Sequence, residues 1–386
     1  MKLSVMRRSE AVLSFDQAEE FASRHGTPLL VVCRAEIRHR YQTMREHLPA
    51  VELFYAAKAN PDPLILETLQ GLGSAIDICS TRELDAALAA GFTTDRMIHT
   101  HPCKTDTNLR ECYARGVRRF VYDNEYELDK FVRLAPDIDL MLRVAVSASS
   151  CALNLSSKFG ASCDEAIGLL VAARRRGLRT VGISIHVGSQ CVDPEDYHLA
   201  FAKVRELYDE AVDLGFDLQW IDIGGGFPAP YRGQMLMPLA DYCDVVQAGL
   251  QKHLSDLPVR LIAEPGRILC AESVTLITSV IGKSQRQGIT WYFLDDGIYG
   301  SFSGKRAGHT DFQLIADNPL GLPDQPCVIA GPTCDSGDVL YRDHPLPELQ
   351  VGDRLLVPSM GAYTSASACC FNGLPLPRAV ALEGSH

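Results

Sequence analysis

Short apolar runs alternate with longer amphipathic stretches over the first two thirds of the chain. The runs are rich in β-branched and aromatic residues, which favours strands. They cover residues 29–33, 51–55, 75–78, 97–100, 119–122, 140–144, 181–186, 220–223 and 260–264. Between most of them, stretches such as 82–90, 163–176 and 197–214 carry apolar residues at helical spacing. This alternation predicts an α/β fold with a (β/α)8 TIM-type barrel, in which the chemistry belongs at the strand ends.

The pattern changes after residue 264. Apolar runs at 274–277, 291–294, 326–330 and 353–357 follow one another without helical stretches and are separated by Gly, Pro and Asp turns. Such a series is typical of a β domain. We therefore expect a barrel over residues 28–268 and a C-terminal, mostly antiparallel β domain from residue 269 to 386.

Composition and charge narrow the class of protein. With 386 residues, 46% of them hydrophobic, the chain is long enough for two substantial cores. A net charge of -11 argues against a nucleic-acid or anionic-membrane surface. The first ten residues lack the apolar core of a signal peptide, and no apolar run approaches the length of a membrane span. We expect a cytoplasmic protein.

The cysteines point to a reducing compartment. The thirteen cysteines form no CxxC pairs at zinc-site spacing, and the eleven histidines do not cluster with them. Thiols in such a compartment serve mostly as small buried apolar groups. No metal site is predicted.

One lysine lies where an apolar run gives way to a Pro-containing turn. Lys58 is flanked by Tyr55, Ala57 and Ala59, and Pro61 follows. Partial desolvation disfavours the ammonium form and frees an amine that can condense with an aldehyde. The alternative is a lysine that only carries charge at the rim of the barrel.

Two further strand ends carry candidate chemistry. Gly224-Gly225-Gly226 follows a strand, and consecutive residues without Cβ let the main chain approach a phosphate closely. His186 ends another strand. Alone, the glycines would indicate a tight turn and the histidine a satisfied core residue.

Taken together, six motifs in order identify a resemblance. Besides the Lys58 segment they are His186-Val187-Gly188-Ser189, Asp222 to Pro228, Glu264-Pro265-Gly266-Arg267, Gly331-Pro332-Thr333-Cys334-Asp335 and Gly361-Ala362-Tyr363-Thr364. Their order resembles that of the pyridoxal-phosphate-dependent basic amino acid decarboxylases, in particular ornithine decarboxylases of the alanine-racemase fold type. The resemblance extends from about residue 27 to about residue 374.

The resemblance implies how pyridoxal 5'-phosphate (PLP) is held. Lys58 would bind its aldehyde, His186 would stack on its ring, and Glu264 would keep its pyridine nitrogen protonated. The remaining cofactor contacts that it implies are Asp77 and Arg143, which with Glu83 match a polar network near the lysine, and Ser189, Gly224, Gly225, Gly226, Gly266, Arg267 and Tyr363, most of them around the phosphate. From the residues alone, Asp77 and Arg143 could form an ordinary ion pair, as could Glu264 and Arg267. In the resembled family the N-terminal segment, here 1–27, joins the β domain.

The resemblance also implies a substrate site shared between two subunits. Cys334 would deliver the proton that the substrate Cα needs after carbon dioxide leaves. Asp335 and Tyr299 would contact the substrate, and Asp335 would bind the substrate's distal ammonium. In the resembled homodimers this loop reaches the neighbouring subunit's site, and Lys158 matches a lysine that pairs with the partner's aspartate at the position of Asp338. The alternative is a buried turn cysteine followed by a capping aspartate.

One position departs from the family pattern. Counting forward from Asp296, the family has a second acidic residue for the distal amine followed by histidine, whereas this chain has Gly308-His309. Asp311 could replace the missing acid. Lys305 and Arg306 would suit a less cationic or partly anionic substrate, unless both point to solvent.

The sequence thus predicts a homodimeric PLP-dependent decarboxylase of a small basic L-amino acid, with ornithine converted to putrescine in polyamine biosynthesis. Lysine, diaminopimelate or a modified diamino acid remain alternatives, and the absence of arginine from the Cys334-Asp335 motif speaks against diaminopimelate. A catalytically silent regulatory homologue is a further alternative, against which the presence of Lys58 and Cys334 speaks.

Overall fold

The computed structural model describes residues 13–146, 149–153, 155–307 and 310–382. Its helices are α1 (Phe15–His25), α2 (Arg34–His47), α3 (Pro63–Gly71), α4 (Thr81–Ala89), α5 (Asp106–Ala114), α6 (Glu125–Leu134), α7 (Cys163–Arg175), α8 (Glu195–Asp213), α9 (Leu239–His253) and α10 (Arg267–Cys270). None of these helices combines the length and apolar composition that crossing a bilayer requires.

The strands of the described residues, in chain order, are β1 (Leu29–Val32), β2 (Val51–Ala56), β3 (Ala75–Ile78), β4 (Met97–His99), β5 (Arg119–Tyr122), β6 (Asp139–Val144), β7 (Cys151–Leu153), β8 (Arg179–Ile185), β9 (Ser189–Cys191), β10 (Trp220–Asp222), β11 (Arg260–Ala263), β12 (Val274–Arg286), β13 (Ile289–Leu294), β14 (Ile315–Ala316), β15 (Gln325–Ala330), β16 (Val339–Leu346), β17 (Arg354–Val357) and β18 (Arg378–Ala381). The chain divides into two compact units. One comprises Arg38–Pro228 and Leu236–Leu269, and the other comprises Met1–Ile37, Ala229–Met235 and Cys270–His386.

A closed parallel barrel forms the core of the first unit. Its strand order is β10-β11-β2-β3-β4-β5-β6-β8, and every neighbouring pair is parallel. One buried cluster takes a residue from each of the eight strands: Phe54, Ala75, Ile98, Val121, Met141, Val181, Trp220 and Ile262. Because parallel strands end at the same rim of a barrel, the residues that follow β2, β3, β8, β10 and β11 can meet there.

Side-chain caps fix where the barrel helices begin. Ser80, Thr105, Asn124 and Ser162 each accept a hydrogen bond from a backbone amide in the first turn of α4, α5, α6 and α7, respectively. At α7 the Glu165 side chain completes a capping box. The helices α4 and α6 begin directly after two-residue connections from β3 and β5, so the capping residues lie at the rim of the barrel.

Gly182 lies within β8, at the point where this strand pairs with β10 to close the barrel. A Cβ on Gly182 would lie 2.5 Å from the carbonyl oxygen of Trp220 and 2.9 Å from its Cβ. The two strands pair here, Trp220 opposite Gly182. Only a residue without a side chain permits this approach.

A mixed, mostly antiparallel sheet forms the second unit. Its main path is β14-β17-β12-β13-β15-β16, and β1 adds to it by pairing antiparallel with β12 and parallel with β18. Helix α1, which starts at a capping box between Ser14 and Gln17, covers one face of this sheet. The residues buried between α1 and the sheet include Phe21, Leu29 and Ile277.

The predicted fold class is confirmed: a parallel eight-stranded barrel is accompanied by a mostly antiparallel sheet. Each of the nine apolar runs before residue 265 overlaps a strand, and so does each of the four runs after it. Strands β7, β9, β14, β16 and β18 were not predicted. The domain limits at residues 28 and 268 stay a prediction.

Candidate active site

Lys58 lies at the rim of the barrel. Strand β2 ends at Ala56 and continues into a 3-10 turn, Ala57–Ala59. The Tyr55 hydroxyl donates to the carbonyl of Asn60 at 2.9 Å and thereby holds this turn closed. The lysine Nζ is 2.8 Å from Asp77 Oδ2 and 3.8 Å from Glu264 Oε2. With 34% of its side chain exposed, the amine is accessible to a ligand while it contacts two carboxyls.

Asp77 anchors the lysine from β3. Its carboxyl is fully buried and accepts hydrogen bonds from Lys58 Nζ at 2.8 Å and from the Thr100 hydroxyl at 2.5 Å. Burial raises the pKa of Asp77 to about 6, although the Lys58 ammonium opposes the shift. Within the described part of the chain no ion pair joins Asp77 to Arg143, whose guanidinium lies 5.7 Å from the Phe159 ring centroid. The alternative of an ordinary Asp77–Arg143 pair is therefore wrong.

Glu264 and Asp222 are two further buried carboxyls at this rim. Asp222 ends β10 and Glu264 directly follows β11, which places both at the same rim. The Ser184 hydroxyl and the Gly224 amide donate to Asp222 at 2.7 and 2.8 Å. Burial raises the pKa of both carboxyls, that of Glu264 strongly because the neighbouring Asp222 adds repulsion.

His186 follows β8 and is neutral. Burial first, and then the positive charges of Arg143 and Lys58, lower its pKa well below the usual range. Its Nδ1 accepts a hydrogen bond from the Gly188 amide at 3.0 Å, which fixes the ring plane. An uncharged, oriented imidazole is suited to stack on a flat aromatic ring.

The glycine loop after β10 is tightly built. Gly224 and Gly226 have φ of 72° and 118°, and a Cβ on them would lie 2.2 Å from the Ile185 carbonyl oxygen and 2.7 Å from that of Gly188. All three glycine carbonyls accept hydrogen bonds from elsewhere in the barrel unit: from the Glu264 amide, the Tyr197 hydroxyl and the Cys191 amide. The loop can therefore present its main chain to an anion without side chains in the way.

Two polar side chains predicted to bind phosphate are in contact. Arg267 begins α10 and is buried, and its Nη2 donates to the Ser189 hydroxyl at 3.2 Å. Gly266, just before it, lies close to the lysine turn, since a Cβ there would be 2.9 Å from Ala59 Cβ. A positive charge and a hydroxyl donor are thus paired beside the turn that carries Lys58.

The predicted substrate residues form a cluster in the β unit. The Tyr299 hydroxyl donates to Asp335 Oδ2 at 2.7 Å, and the Tyr299 ring stacks on Phe371 with centroids 4.3 Å apart. The Cys334 amide donates to Asn372 Oδ1 at 3.0 Å, while Asn372 Nδ2 approaches Cys334 Sγ at 3.2 Å. Cys334 is exposed. The alternative of a buried turn cysteine is therefore wrong.

Asp338 lies inside the same unit. It is buried and accepts hydrogen bonds from the Ile298 amide, the Thr333 amide and the Thr333 hydroxyl at 2.7 to 3.2 Å. In the barrel unit, the Lys158 ammonium lies 4.8 Å from the Phe159 ring centroid. The expected pairing of Lys158 with a partner's Asp338 stays a prediction.

Lys305 and Arg306, the basic residues near the departure from the family pattern, have different surroundings. Lys305 Nζ is 3.1 Å from Asp311 Oδ1 and 3.8 Å from the Tyr341 ring centroid, with 17% of its side chain exposed. The expectation that both bases point to solvent is therefore wrong for Lys305. Arg306 is exposed and lies over the Tyr299 ring. Gly308 and His309 lie outside the described residues.

Tyr363 and Glu83 complete the predicted set. Tyr363 belongs to the β unit, has φ of 54°, and its carbonyl accepts from the Ser367 hydroxyl. Its expected phosphate contact stays a prediction. Glu83 Oε2 accepts from the Cys79 amide at 2.6 Å, and burial raises the Glu83 pKa to about 7. Attraction to Lys58 contributes to this pKa, which places Glu83 in the lysine's electrostatic surroundings.

Sequence reasoning did not assign roles to Asp222, Thr100 or Asn372. Asp222 stood within a quoted motif at a strand end, a position that signals chemistry in a barrel. Thr100 also stood at a predicted strand end, but an isolated threonine carries no such signal. Asn372 lies 38 residues from Cys334, so only the fold brings the amide to the thiol.

The sequence matches a known family of enzymes over most of the barrel unit. Residues 34–271 match the family described as "Pyridoxal-dependent decarboxylase, pyridoxal binding domain". The chain belongs to this family. It is 40% identical over 372 residues to a lysine/ornithine decarboxylase of Selenomonas ruminantium, covering 96% of this chain and 93% of that one. It is 36% identical to an ornithine decarboxylase of Schizosaccharomyces pombe, covering 89% and 81%.

Solved structures agree with this assignment. A structure of a SrLDC mutant in complex with PLP superposes with a TM-score of 0.93 at 40% identity and covers 96% of both chains. A Vibrio vulnificus lysine/ornithine decarboxylase complexed with cadaverine gives a TM-score of 0.90 at 38% identity and covers 96% of this chain and all of that one. The protein is a PLP-dependent decarboxylase, and PLP is its cofactor.

The residues of the rim fit PLP. Asp77 and Glu264 lie 2.8 and 3.8 Å from the Lys58 ammonium, and buried Asp222 raises the pKa of Glu264, so a protonated ring nitrogen would add a favourable positive charge beside these carboxyls. The glycine loop with Ser189 and Arg267 offers donors for a phosphate. When bound, PLP supplies the electron sink that lets a carboxylate leave as carbon dioxide.

Proposed function

We propose that the protein decarboxylates small basic L-amino acids, L-ornithine to putrescine first and L-lysine to cadaverine second. The observation that carries the reaction type is Lys58 held between Asp77 and Glu264 beside the glycine loop. The substrate class is supported by relatives named ornithine and lysine/ornithine decarboxylases at 36 and 40% identity. Such an activity would belong to polyamine biosynthesis in the cytoplasm.

Different residues of the barrel unit would bind different parts of the cofactor. Lys58 would bind the aldehyde, and Asp77 holds the lysine Nζ in place at 2.8 Å. Glu264 would face the ring nitrogen and keep a proton there, and the positive charge of that nitrogen would offset the repulsion by Asp222 that disfavours ionised Glu264. His186 would stack on the ring, and Ser189 and Arg267, which are in contact with each other, would bind the phosphate together with the glycine loop.

The β-unit cluster would handle the substrate. Cys334 delivers a proton from Sγ to Cα after carbon dioxide leaves, and Asn372 orients that sulfur through its 3.2 Å contact. Asp335 accepts the distal ammonium of the substrate, and the Tyr299 hydroxyl fixes the position of the carboxylate. The exposure of Cys334 supports a role toward a group from outside its own unit.

The protein would act as a homodimer with composite sites, each with Lys58 from one subunit and Cys334-Asp335 from the other. Inactive Lys58→Ala and Cys334→Ala proteins, mixed and allowed to exchange subunits, should then regain about a quarter of wild-type activity, because half of the randomly formed dimers hold one intact site. No recovery, with exchange shown independently by a mass-tagged subunit, would refute the shared arrangement.

The decisive test of the activity measures cofactor attachment and turnover separately. Wild-type holoenzyme should show a visible absorbance band that borohydride removes, and should release carbon dioxide from L-ornithine and L-lysine. Lys58→Ala should lose both the band and the release of carbon dioxide. Lys130→Ala is the matched control for it and should keep both, since Lys130 is a barrel-unit lysine that pairs with Glu127 rather than with Asp77. A protein that carries the band but releases no carbon dioxide from either amino acid would refute the proposed substrates.

A further inference from the structure

Three neighbouring strands of the barrel unit bring a lysine, a carboxyl and a hydroxyl into a row. Lys58 follows β2, Asp77 lies in β3, and Thr100 directly follows β4. Strand β3 lies between the other two, since Asp77 is opposite Ala56 of β2 and Ile98 of β4. The Asp77 carboxyl is therefore within reach of the side chains that follow both neighbouring strands.

The two oxygens of the Asp77 carboxyl have different partners. Oδ1 accepts from the Thr100 hydroxyl at 2.5 Å, and Oδ2 accepts from the Lys58 ammonium at 2.8 Å. The distance of 2.5 Å is short and lies in the range of hydroxyl bonds to an ionised carboxylate. Asp77 and Thr100 are both buried, so bulk water cannot replace this hydroxyl at Oδ1.

The Thr100 hydroxyl offsets part of the cost of burying a charged Asp77. Burial raises the pKa of Asp77 to about 6, whereas the Lys58 ammonium and the Thr100 hydroxyl both act to lower it. Without the hydroxyl, Oδ1 would lose its donor in a buried position, which disfavours the ionised form. Because threonine branches at Cβ, its χ1 angle is restricted, and this helps to keep the hydroxyl on the carboxyl.

We infer that Thr100 is a positioning residue whose hydroxyl keeps the Asp77 carboxyl ionised and oriented, so that Asp77 holds the amine of Lys58 in place for the cofactor. The inference rests on the proposed role of Lys58 as the lysine that binds the cofactor aldehyde. Thr100 acts through Asp77 and not on the cofactor. Its contribution should therefore appear in the pH dependence of the cofactor-free protein and in covalent attachment of PLP, but not in binding of the phosphate.

The first test uses apoprotein and compares Thr100→Val, which keeps the shape but removes the donor, with Thr100→Ser, which keeps the donor. The folded-state pKa of Asp77 lies above its ordinary value of 3.8, so its protonation stabilises the fold at low pH, and this stability is lost as pH rises through the folded-state pKa. Removing the hydroxyl raises that pKa further. From pH 5 to pH 8 the equilibrium constant for unfolding in urea should therefore increase about tenfold more in Thr100→Val than in the wild type.

The other titratable groups that interact electrostatically with Asp77 are the same in all these proteins, and they are Lys58, Cys79, Glu83, Asp222 and Glu264. Comparison of each variant with the wild type removes their direct contributions. Thr180→Val is the matched control, since Thr180 is a buried barrel threonine whose hydroxyl lies 3.0 Å from that of Tyr122. Burial raises the pKa of Tyr122, so this phenol stays neutral from pH 5 to pH 8. The stability of Thr180→Val relative to the wild type should be the same at both pH values, and Thr100→Ser should follow the wild type within about twofold.

The second test separates covalent attachment from binding of the ring and phosphate. Apoprotein is titrated with PLP and with pyridoxine 5'-phosphate, which has the ring and the phosphate but no aldehyde. Thr100→Val should weaken the binding of PLP about three- to tenfold at pH 7 and change that of pyridoxine 5'-phosphate by less than about twofold. Thr100→Ser should restore most of the affinity for PLP.

A stability of Thr100→Val relative to the wild type that is constant from pH 5 to pH 8 would overturn the inference. Equal effects of Thr100→Val and Thr100→Ser, or equal weakening of PLP and pyridoxine 5'-phosphate, would overturn it as well. If Thr100→Val does not fold, Thr100→Ala removes the same hydroxyl without added bulk and replaces it in both tests. A Lys58→Ala protein that keeps the borohydride-sensitive band would refute the proposed role of Lys58 instead, and the apoprotein test would still decide whether Thr100 controls Asp77.

Discussion

Replacing Asp77 by asparagine should make the stability of the cofactor-free protein, relative to the wild type, increase as pH rises, and it should abolish turnover. Asp77 is fully buried, and its pKa is raised from 3.8 to about 6, chiefly by loss of hydration. The native state therefore binds a proton more tightly than the unfolded chain does. Ionising Asp77 costs folding free energy, and a neutral asparagine of nearly the same shape avoids that cost.

The magnitude follows from the two pKa values. A carboxyl with a folded-state pKa of about 6 and an unfolded value of 3.8 contributes stability at low pH, which is lost as pH rises between those values. The full loss is about 3 kcal/mol, and about 1.4 kcal/mol of it falls between pH 5 and pH 8. Asparagine can still accept from the Thr100 hydroxyl, but its amide would face the Lys58 ammonium. That repulsion changes the free energy of unfolding of Asp77→Asn by the same amount at every pH in this range.

The assay is urea unfolding of apoprotein at pH 5 and pH 8, for the wild type and Asp77→Asn. The stability of Asp77→Asn relative to the wild type should increase by about 1.4 kcal/mol from pH 5 to pH 8, a double difference that cancels pH-independent effects. Asp213→Asn, at the exposed end of α8, controls for the loss of one carboxyl and should show no such increase. A relative stability of Asp77→Asn that is constant with pH would refute the reasoning.

Three further outcomes are expected. Lys58→Ala should lose both the borohydride-sensitive band and turnover, and Lys58→Arg should not restore them because a guanidinium stays protonated; full activity with the band retained would contradict the assignment. Glu264→Gln should lower kcat roughly a thousandfold, with a much smaller change in PLP affinity measured by titration, and near-normal kcat would exclude its role at the ring nitrogen. Gly182→Ala should lower the free energy of unfolding by roughly 1–3 kcal/mol, because its Cβ would press on Trp220. Gly168→Ala, in α7 with no atom within 4 Å of the new Cβ, should be neutral or stabilising by up to about 1 kcal/mol in the same denaturation assay.

The barrel was readable from the sequence because its strands are nearly continuous apolar runs. Strands β3 and β4 are buried along their whole length, which is why an apolar run alone locates them. Strand β16 was missed for the opposite reason. It contains Arg342, Asp343 and Pro345, and among the described strands it pairs with β15 alone, at an edge of the sheet, where charges and a proline are tolerated.

Side-chain partners were less predictable than strands. Lys305 reads as a solvent-exposed base, yet the fold brings Tyr341 and Asp311 to it, and a lysine stem packs readily on an aromatic face. Asp77 reads as a partner of Arg143, yet β2 and β3 are neighbours in the barrel and Lys58 reaches it first. Both corrections come from contacts between elements whose spacing along the chain does not reveal them.

The charge balance at the barrel rim links stability, pH and cofactor binding. Asp77 and Glu264 are buried beside the Lys58 ammonium, Asp222 is buried close enough to Glu264 to raise its pKa, and burial raises the pKa of all three carboxyls. A fold selected only for stability would not keep three such carboxyls together, since each costs free energy when ionised without a partner. A ligand with a protonated ring nitrogen supplies the missing positive charge and lets Glu264 ionise. The same carboxyls that weaken the cofactor-free protein at alkaline pH should therefore strengthen its hold on PLP.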